Sequence, residues 1–417
     1  MSLLETLQKE SEEVIQTKAA EKEAVSTGVF DEDAIPEIVT EIFANALAQH
    51  ASDIHFKPKE EKFEVYYRVD GTLIQQKIFE KIFHHPIVAR IKIISGLKID
   101  EHRLPQDGKS SFKSDSKEVD LRVSVLPTQY GEKVVIRLLE KSPKMVMLRD
   151  LGMLPNILMK VEKHLRGNYG MILAVGPTGS GKSTSLFSMI STFNAEDYNI
   201  STLEDPIEYK IPGVTQTQIN PEIGLDFSDG LRTLLRQDPN IIMVGEIRDL
   251  KTASLAIESA LTGHLVFSTL HTNSAVGTIQ RLLDMKIDRF LITDAVKLII
   301  SQRLVRKICS DCREKYAMPE KYFELFKKET DIDPRNAFLY RSNGCDECKN
   351  TGYKGRIGLF EVMEMSPAIE ELIVGNASGT DVEKQAVKEG MTLIRKDALY
   401  KAVTGDITIE EALKAMA

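Results

Sequence analysis

The sequence predicts an α/β protein with two successive domains, a small α+β domain followed by a parallel sheet covered by helices. Three observations support this fold class. Residues 34–140 mix helical periodicity with alternating strands. Further along, short apolar strands such as Met171–Val175 alternate with helices, which is typical of a parallel sheet buried on both faces. A glycine-rich loop follows that strand, and 417 residues suffice for two or three domains of roughly 100–200 residues each.

Composition is ordinary for a globular protein, with 42% hydrophobic and 28% charged residues. No apolar run approaches the roughly 18 residues that a membrane-spanning helix needs. The N-terminal sequence MSLLETLQKE lacks the basic and apolar regions of a secretory signal. We therefore expect a cytoplasmic protein that associates with a membrane only through partners.

Charge is unevenly distributed along the chain. The formal net charge is −8, and residues 1–33 alone hold nine acidic residues against three lysines. Such a composition predicts a flexible acidic segment. The rest of the chain is near neutral, and the protein has no tryptophan and only 6% aromatic residues. These features argue against binding to nucleic acid, which needs a basic surface and often aromatic stacking.

The first domain is expected over residues 34–140. Apolar spacing predicts one helix over residues 36–51 and a shorter one over residues 86–95. Alternation predicts strands at Phe63–Val69, at Thr72–Ile74 after the turn signal Asp70-Gly71, at Val119–Val125 and at Lys133–Leu139. Residues 141–149 are interpreted as a linker to the second domain.

The second domain is predicted as an α/β core over residues 150–300, followed by a subdomain over 301–357 that contains all four cysteines and a helical region over 358–417. Its predicted strands are Met171–Val175, Ile200–Leu203, Ile241–Val244 and Leu265–Thr269, with helices from Lys182, at Phe227–Leu235 and at Thr252–Leu261. From about Ala295 onward we expect mostly helix around the cysteines.

Residues 176–183 match the phosphate-loop pattern G-x-x-x-x-G-K-[ST] at every position, between an apolar strand and a predicted helix. The candidate nucleotide-binding residues are Gly176, Pro177, Thr178, Gly179, Ser180, Gly181, Lys182, Ser183 and Thr184. Glycines let backbone N–H groups turn toward phosphates, and a helix N-terminus favours an anion. We expect Lys182 to contact the β- and γ-phosphates of ATP and Ser183 to bind Mg²⁺.

Two further strand ends carry carboxylates. Glu246 ends one apolar strand, and Gly245 occupies the preceding position, where an acid is usual. Glu204 and Asp205 end another strand. Ligands bind at this edge of open α/β sheets, and one carboxylate must orient or deprotonate the attacking water. Glu204 is favoured for the water and Glu246 for the metal side, but the order stays open.

Two histidines flank a third predicted strand. His264 precedes it and His271 follows it, with Thr269 between them. A single histidine is more often structural than catalytic. Two histidines beside this loop make the alternatives nearly equal, and sensing of the γ-phosphate is then the natural role, with His271 as the candidate.

All four cysteines fall in two C-x-x-C pairs with 32 residues between the pairs. The pairs are Cys309 with Cys312 and Cys345 with Cys348. In a cytosolic chain this pattern favours a metal site over disulfides, and four thiolates suit tetrahedral Zn²⁺ in a closed, structural site. Redox chemistry is the less favoured alternative. Gly344 and Gly352 lie beside the second pair and would permit tight turns.

Several segments resemble, in order and spacing, motifs of the secretion ATPase superfamily. Its Walker A, aspartate, Walker B and histidine boxes correspond to GPTGSGKST (176–184), TLEDPIEY (202–209), LRQDPNIIMVGEIRD (235–249) and TGHLVFSTLHTN (262–273). The segments ASDIHF (51–56), YRVDG (67–71), RLPQDGK (103–109), DLRVSVLPT (120–128) and SQRLVRKICSDC (301–312) continue the resemblance. The cysteine pairs indicate the type II secretion and type IV pilus assembly branch, because the pilus-retraction branch typically lacks them.

The resemblance implies a homohexameric motor at the inner face of the inner membrane, acting on a membrane platform protein. Each subunit would have a PAS-like N-terminal domain and a RecA-like ATPase domain, with ATP between them. Arg122 and Arg137 match the arginines that reach the nucleotide in this family. Lys109 stands where the family often has arginine, and lysine cannot make the bidentate phosphate contact of arginine. Gly245 is normal for the family.

The same resemblance implies a further N-terminal domain, which docks on a membrane-bound partner in this branch. Only an acidic segment of about 33 residues precedes the PAS-like domain here, so that further domain is expected to be naturally absent or trimmed.

The leading hypothesis is an ATP hydrolase that powers pilus or pseudopilus assembly. A nucleic-acid translocase is the second hypothesis, since RecA-like rings also move strands, and stimulation of ATP hydrolysis by DNA would support it. A slow ATP-dependent conformational switch is the third, and turnover that ignores the platform protein would favour it.

Overall fold

The structure is a computed structural model that describes residues 34–114, 118–140, 145–208 and 210–416. These residues form two compact units, divided between residues 143 and 144. We call residues 34–140 the smaller unit and residues 145–416 the larger unit. The predicted acidic segment over 1–33, and residues 141–144 of the predicted linker, lie outside the described residues.

The smaller unit is a six-stranded antiparallel sheet with two helices, as the α+β prediction requires. The strands are β1 (Asp53–Pro58), β2 (Lys62–Val69), β3 (Thr72–Glu80), β4 (Gln106–Lys113), β5 (Glu118–Thr128) and β6 (Gly131–Glu140), in the order β3-β2-β1-β6-β5-β4. The helices are α1 (Ile35–Ala48) and α2 (His84–Ile94).

Alternation along the strands decides which face of this sheet the helices cover. In β5, Leu121 and Val123 are buried and share one hydrophobic core with Phe43 of α1 and Ile91 of α2. Arg122 lies between them and therefore projects from the opposite face. The strand predictions at β2, β3, β5 and β6 are confirmed. β1 and β4 were not predicted, and the β4 sequence QDGKSSFK has almost no apolar alternation.

The larger unit has a seven-stranded sheet. Its strands are β7 (Gly170–Val175), β8 (Ile200–Glu204), β9 (Thr215–Gln218), β10 (Ile241–Val244), β11 (Leu265–Leu270), β12 (Val296–Ile308) and β15 (Tyr353–Glu364), in the order β15-β12-β7-β11-β10-β8-β9. All neighbours are parallel except β12 and β15, which are antiparallel. The four predicted strands of this domain are therefore confirmed as adjacent parallel strands.

Helices cover both faces of this sheet. They are α3 (Pro155–Leu165), α4 (Lys182–Ile190), α5 (Phe227–Leu234), α6 (Leu250–Leu261), α7 (Ala275–Asp284) and α8 (Arg289–Ala295). In β7, Leu173 and Val175 belong to the core on one face, while Ile172 and Ala174 belong to the core on the other. Burial on both faces explains why every residue of β7 is buried and why the strand reads as a continuous apolar run.

The prediction of mostly helix after Ala295 was wrong for residues 296–364. β12 and β15 are strands of 13 and 12 residues, and between them lie β13 (Arg313–Ala317), α9 (Phe323–Glu329) and β14 (Phe338–Ser342). The first part of β12 is almost wholly buried, and such an apolar run cannot be distinguished from a buried helix by periodicity. Helices return as α10 (Pro367–Val374), α11 (Gly379–Lys388), α12 (Ile394–Thr404) and α13 (Ile409–Met416).

The helices of the two units are short. Within the described ranges, none combines the length and apolar character that crossing a bilayer requires.

Candidate active site

The motif-bearing strands end side by side at the carboxyl edge of the larger unit's sheet. β7, β11, β10 and β8 are consecutive parallel neighbours. The phosphate loop (176–183) after β7, His271 after β11, Glu246 after β10 and Glu204 at the end of β8 therefore share one edge. This is the edge of an open α/β sheet at which ligands bind.

The phosphate loop has the backbone shape that its glycines predict. Gly176, Gly179 and Gly181 have φ of 147°, 78° and 88°, a region that side chains with a Cβ rarely adopt. The loop ends where α4 begins at Lys182. Pro177, Thr178 and Gly179 are exposed, whereas Ser183 and Thr184 are half-buried in the first turn of the helix. The free N–H groups of that turn can face an anion.

Lys182 is buried beneath the loop that it is expected to serve. Its Nζ donates hydrogen bonds to the carbonyl oxygens of Gly176, at 2.8 Å, and Pro177, at 3.2 Å. Burial lowers the pKa of the Lys182 ammonium, and the charge of Glu246 opposes that shift. Two loop carbonyls thus hold the cation close to the backbone that would surround a phosphate.

Glu246 lies between two basic side chains. Its Oε1 is 2.5 Å from a guanidinium nitrogen of Arg248, and its Oε2 is 3.5 Å from Nε2 of His271. The hydrogen bond from Arg248 to Glu246 raises the pKa of the guanidinium. A carboxylate held by an arginine on one oxygen keeps lone pairs for a metal-bound water on the other.

Glu204 has uncharged hydrogen-bond partners and is almost fully buried. Its Oε1 accepts hydrogen bonds from Oγ1 of Thr202 at 2.6 Å and from Nε2 of Gln216 at 2.9 Å. Burial raises the pKa of Glu204, although both hydrogen bonds act in the other direction. A carboxylate with a raised pKa is better suited to accept a proton from water than an ordinary one.

Gly245 has a structural reason to lack a side chain. A Cβ there would lie 3.1 Å from the carbonyl oxygen of Leu203 and 3.5 Å from Cα of Glu204. The Gly245 N–H donates to the same Leu203 oxygen at 2.8 Å, and its own carbonyl accepts from Oγ1 of Thr269 at 2.8 Å. The absence of the usual acid at this position thus lets β8 and β10 approach each other beside Glu204.

The two candidate histidines lie at opposite ends of β11. His271 follows the strand and faces Glu246, as described above. His264 precedes the strand, and its Nδ1 is 2.9 Å from the carbonyl oxygen of Ser259 at the end of α6. Its own carbonyl accepts the N–H of Gly170, where β7 begins. His264 therefore lies at the amino edge of the sheet, away from the phosphate loop.

In the smaller unit, Arg122 and Arg137 belong to a basic row that crosses the sheet. Arg122 pairs with Arg137 on one side and with Lys109 on the other. Arg137 in turn pairs with Asp53, and its Nε is 3.1 Å from Oδ1 of that residue. Directly opposite residues share a face, so these side chains lie together on the face that the helices leave uncovered. Their predicted contact with a nucleotide stays a prediction.

The four cysteines converge as predicted. We call residues 309–352 the cysteine lobe. Its four sulfur atoms lie within 4.8 Å of one another, and the closest pairs, Cys309 with Cys345, Cys312 with Cys348 and Cys345 with Cys348, are 3.7–3.8 Å apart. Zinc–sulfur bonds of about 2.3 Å in a tetrahedron place the sulfurs about 3.8 Å apart. The geometry and the all-thiol donor set therefore fit Zn²⁺.

The turns beside the second cysteine pair also have the predicted shape. Gly344 and Gly352 have φ of 87° and 78°, as tight turns require. The N–H groups of Cys345 and Gly352 each donate to Sγ of Cys348 at 3.2 Å. Such N–H···S bonds favour a thiolate and are the expected support of a metal ligand.

Three residues that contact the motifs escaped the sequence analysis. Arg248 holds Glu246, Gln216 holds Glu204, and Gln302 of β12 donates from Nε2 to the carbonyl of Ser180 in the phosphate loop at 2.8 Å. Arg248 follows Glu246 by two residues and could have been found from that spacing. Gln216 and Gln302 lie 12 and 122 positions from their partners, so only the strand order brings them close.

The family model and similar known proteins point to the same family. The family model described as "Type II/IV secretion system protein" matches residues 29–414. The type IV pilus assembly ATPase PilB of Thermus thermophilus is 44% identical over 397 residues, which cover 95% of this chain and 44% of that protein. PilB of Myxococcus xanthus is 42% identical, with 92% and 68% covered. The type II secretion system ATPase E of Vibrio cholerae is 41% identical, with 92% and 76% covered.

Solved structures give the same picture of the fold. The Legionella pneumophila ATPase DotB superimposes with a TM-score of 0.66 at 21% identity, and 95% of this chain and 98% of that chain are covered. The pilus retraction motor PilT with bound ADP has a TM-score of 0.58 at 26% identity, with 90% and 96% covered. Since the family model spans nearly the whole sequence, the chain belongs to the type II/IV secretion system protein family.

Proposed function

We propose that this chain is a cytoplasmic motor subunit that hydrolyses ATP to drive assembly of a type IV pilus or of a type II secretion pseudopilus. The relatives named as pilus assembly and type II secretion ATPases, 41–44% identical over more than nine-tenths of this chain, support the proposal. The subunit acts as a homohexamer at the inner face of the inner membrane, on a platform protein in that membrane.

The observation that carries the proposed chemistry is the meeting of the phosphate loop with Glu204 and Glu246 at one sheet edge. The reaction is in-line attack of water on the γ-phosphate of ATP. Lys182 leaves its loop carbonyls to neutralise charge on the phosphates, and the N–H groups of the loop bind their oxygens. Ser183 and the Glu246 side of the site would hold Mg²⁺, which supplies further charge neutralisation when bound.

The two acids take different roles in this proposal. Glu204 orients or deprotonates the attacking water, because its burial and its raised pKa suit a proton acceptor. Glu246 serves the metal side, because Arg248 and His271 fix its position. His271 contacts the γ-phosphate from the other side of Glu246.

The smaller unit contributes arginines in this proposal. It is a PAS-like domain that closes over the RecA-like larger unit when ATP binds, and Arg122 and Arg137 then stabilise charge on the γ-phosphate. The basic row that contains the half-buried Arg122 and the exposed Arg137 supports this role. ATP hydrolysis and release reopen the joint, and this movement drives the platform protein.

The four cysteines hold a structural Zn²⁺ in this proposal. A closed set of four thiolates leaves no position for a substrate, so the metal stabilises the cysteine lobe and takes no part in hydrolysis. Removal of the metal with a chelator should lower the melting temperature of the protein, and Zn²⁺ should restore it. A chelator-treated protein free of zinc with an unchanged melting temperature would contradict this role.

The active-site proposal is tested by ATP turnover of Lys182→Ala and Glu204→Gln. Glu258→Gln is the matched control, because Glu258 is an exposed glutamate of α6 in the same unit. We expect both site variants to lose at least about 100-fold in kcat, and the control to stay within about twofold. Native turnover by Lys182→Ala would show that the site is assigned wrongly.

The motor role needs its own measurement. Light scattering with ATP and Mg²⁺ should give a particle of six 46.8-kDa chains. Deletion of the gene should abolish surface pili or secretion, and the native gene, but not Lys182→Ala, should restore them. A deletion strain with normal pili and normal secretion would overturn the proposed role.

A further inference from the structure

We propose that Gln302 is a positioning residue that sets the phosphate loop for nucleotide binding, by holding the peptide between Ser180 and Gly181 in one orientation. This inference rests on the proposed function, because it assigns a role toward the phosphates of ATP and ADP.

The position of Gln302 follows from the register of β12. Ser301 pairs with Val175, the last residue of β7, so the parallel strand β12 continues where β7 gives way to the loop. Gln302 is therefore level with Gly176. Its carbonyl oxygen lies only 2.4 Å from where a Cβ on residue 176 would be, so the backbone of β12 contacts the first residue of the loop.

The side chain of Gln302 contacts the other end of the loop. It is 2% exposed, and its Nε2 donates to the carbonyl oxygen of Ser180 at 2.8 Å. A Cβ on Gly181 would lie 3.3 Å from the same Nε2. One residue thus contacts both Gly176 and the Ser180–Gly181 peptide, which bracket the loop.

The orientation of that peptide decides where one phosphate-facing donor lies. The peptide bond is planar and trans, so the C=O of Ser180 and the N–H of Gly181 point in opposite directions. With the carbonyl held by Gln302, the Gly181 N–H points away from the Gln302 amide. Residue 181 is a glycine with φ of 88°, so it has no Cβ that would oppose a flip of this peptide. The hydrogen bond from Gln302 holds the Ser180 carbonyl and therefore opposes such a flip.

The oxygen of the Gln302 amide makes it possible to remove the bond to Ser180 without breaking another. Its Oε1 has no hydrogen-bond partner among the described residues, and neither has Oγ of Ser180. An apolar side chain of the same length, in Gln302→Met, therefore removes the bond to the Ser180 carbonyl and breaks no second bond of the amide. Gln302→Glu keeps the shape and replaces the donor by an acceptor, so the ionised carboxylate repels the carbonyl.

The experiment measures the affinity for a fluorescent ADP and the steady-state kinetics of both variants. The Gly181 N–H would contact phosphate present in ADP and ATP alike, so its loss removes binding common to ground state and transition state. We expect ADP affinity to fall and KM for ATP to rise by about tenfold in Gln302→Met, with kcat within about threefold. Gln302→Glu should weaken ADP binding at least as much.

Thr293→Val is the matched control, because Thr293 is a buried residue of α8 whose hydroxyl also donates to backbone carbonyls. It should bind ADP like the native protein. A merely structural role of Gln302 would lower the melting temperature without ADP and leave ADP affinity unchanged. That result, or a loss of kcat with unchanged KM, would overturn the proposal.

Lys182→Ala separates this inference from the proposed function. If Lys182→Ala loses ADP binding and Gln302→Met binds ADP normally, only the role of Gln302 is wrong. If Lys182→Ala binds ADP as the native protein does, the nucleotide site itself is assigned wrongly, and the role of Gln302 is overturned with it.

Discussion

Glu204 and Glu246 are the same residue type at the ends of neighbouring strands, yet their surroundings differ. Glu204 is enclosed by a hydroxyl and an amide, both uncharged, and burial raises its pKa. Glu246 contacts the guanidinium of Arg248 and the ring of His271. The comparison teaches that strand position brings an acid to the site, whereas the partners of the acid determine which step it suits.

The largest effect is expected from Glu204→Gln, which keeps the shape of the side chain and removes the proton acceptor. Loss of a general base costs typically 10²–10⁴-fold, so kcat should fall by about that factor while ADP affinity stays native. Single-turnover hydrolysis with saturating ATP measures the chemical step directly. If instead Glu246→Gln abolishes that step and Glu204→Gln is nearly native, the two roles must be exchanged.

A smaller effect is expected from Arg248→Ala, which removes the cation that holds Glu246 and leaves Glu246 in place. Partners of this kind typically contribute 10–100-fold to metal affinity, so the Mg²⁺ concentration for half-maximal turnover should rise by about tenfold or more. Excess Mg²⁺ should restore most of kcat. Arg232→Ala is the control, because Arg232 is an exposed arginine of α5 that pairs with Asp229 on the same helix.

The pH dependence of turnover tests the proposed role of Glu204. Burial raises the pKa of Glu204, and a base acts in its ionised form, so kcat should fall as pH decreases through that raised pKa. The hydrogen bond from Gln216 lowers the pKa, so Gln216→Leu should move the acidic limb of the profile to higher pH. A limb that moves to lower pH, or stays in place, would show that another group controls it.

The smallest effects concern the histidines at the two ends of β11. His271→Ala removes the ring beside Glu246, and we expect kcat to fall by roughly tenfold. His264→Ala acts at the amino edge of the sheet, so kcat should stay within about twofold even if the melting temperature falls. Equal losses of kcat in the two variants would contradict the separation of the two ends.

Much of the phosphate-loop region could be predicted from the sequence, because each motif is local and begins or ends a fully apolar strand. The strands Met171–Val175 and Ile241–Val244 could be predicted from their continuous apolar sequences and from the motif residues that follow them. The cysteine cluster was equally accessible, since four thiols in two short pairs have few alternatives. Gly245 was noticed as an anomaly, but its close approach to Leu203 required the strand order.

The rest depended on distant pairing. β12 was missed because a buried apolar run has no diagnostic period. The contact of Gln302 with Ser180 could therefore not be predicted either. Gln216 reaches Glu204 from β9, whose sequence TQTQ carries no apolar signal. His264 and His271 could be placed before and after the strand from the sequence, but which of them lies beside Glu246 depended on the order and direction of the strands.

β12 also sets the distance between the phosphate loop and the cysteine lobe. Gln302, which contacts the phosphate loop, and Cys309, the first residue of the cysteine lobe, are seven residues apart, a span of about 23 Å in an extended strand. β12 pairs with β15 over most of that span, with one irregularity in the register between Arg306 and Ile308. An extended strand can hardly lengthen further, so a movement of Gln302 along the strand axis away from the cysteine lobe would be transmitted to Cys309. β12 thus connects the phosphate loop at one end with the cysteine lobe at the other.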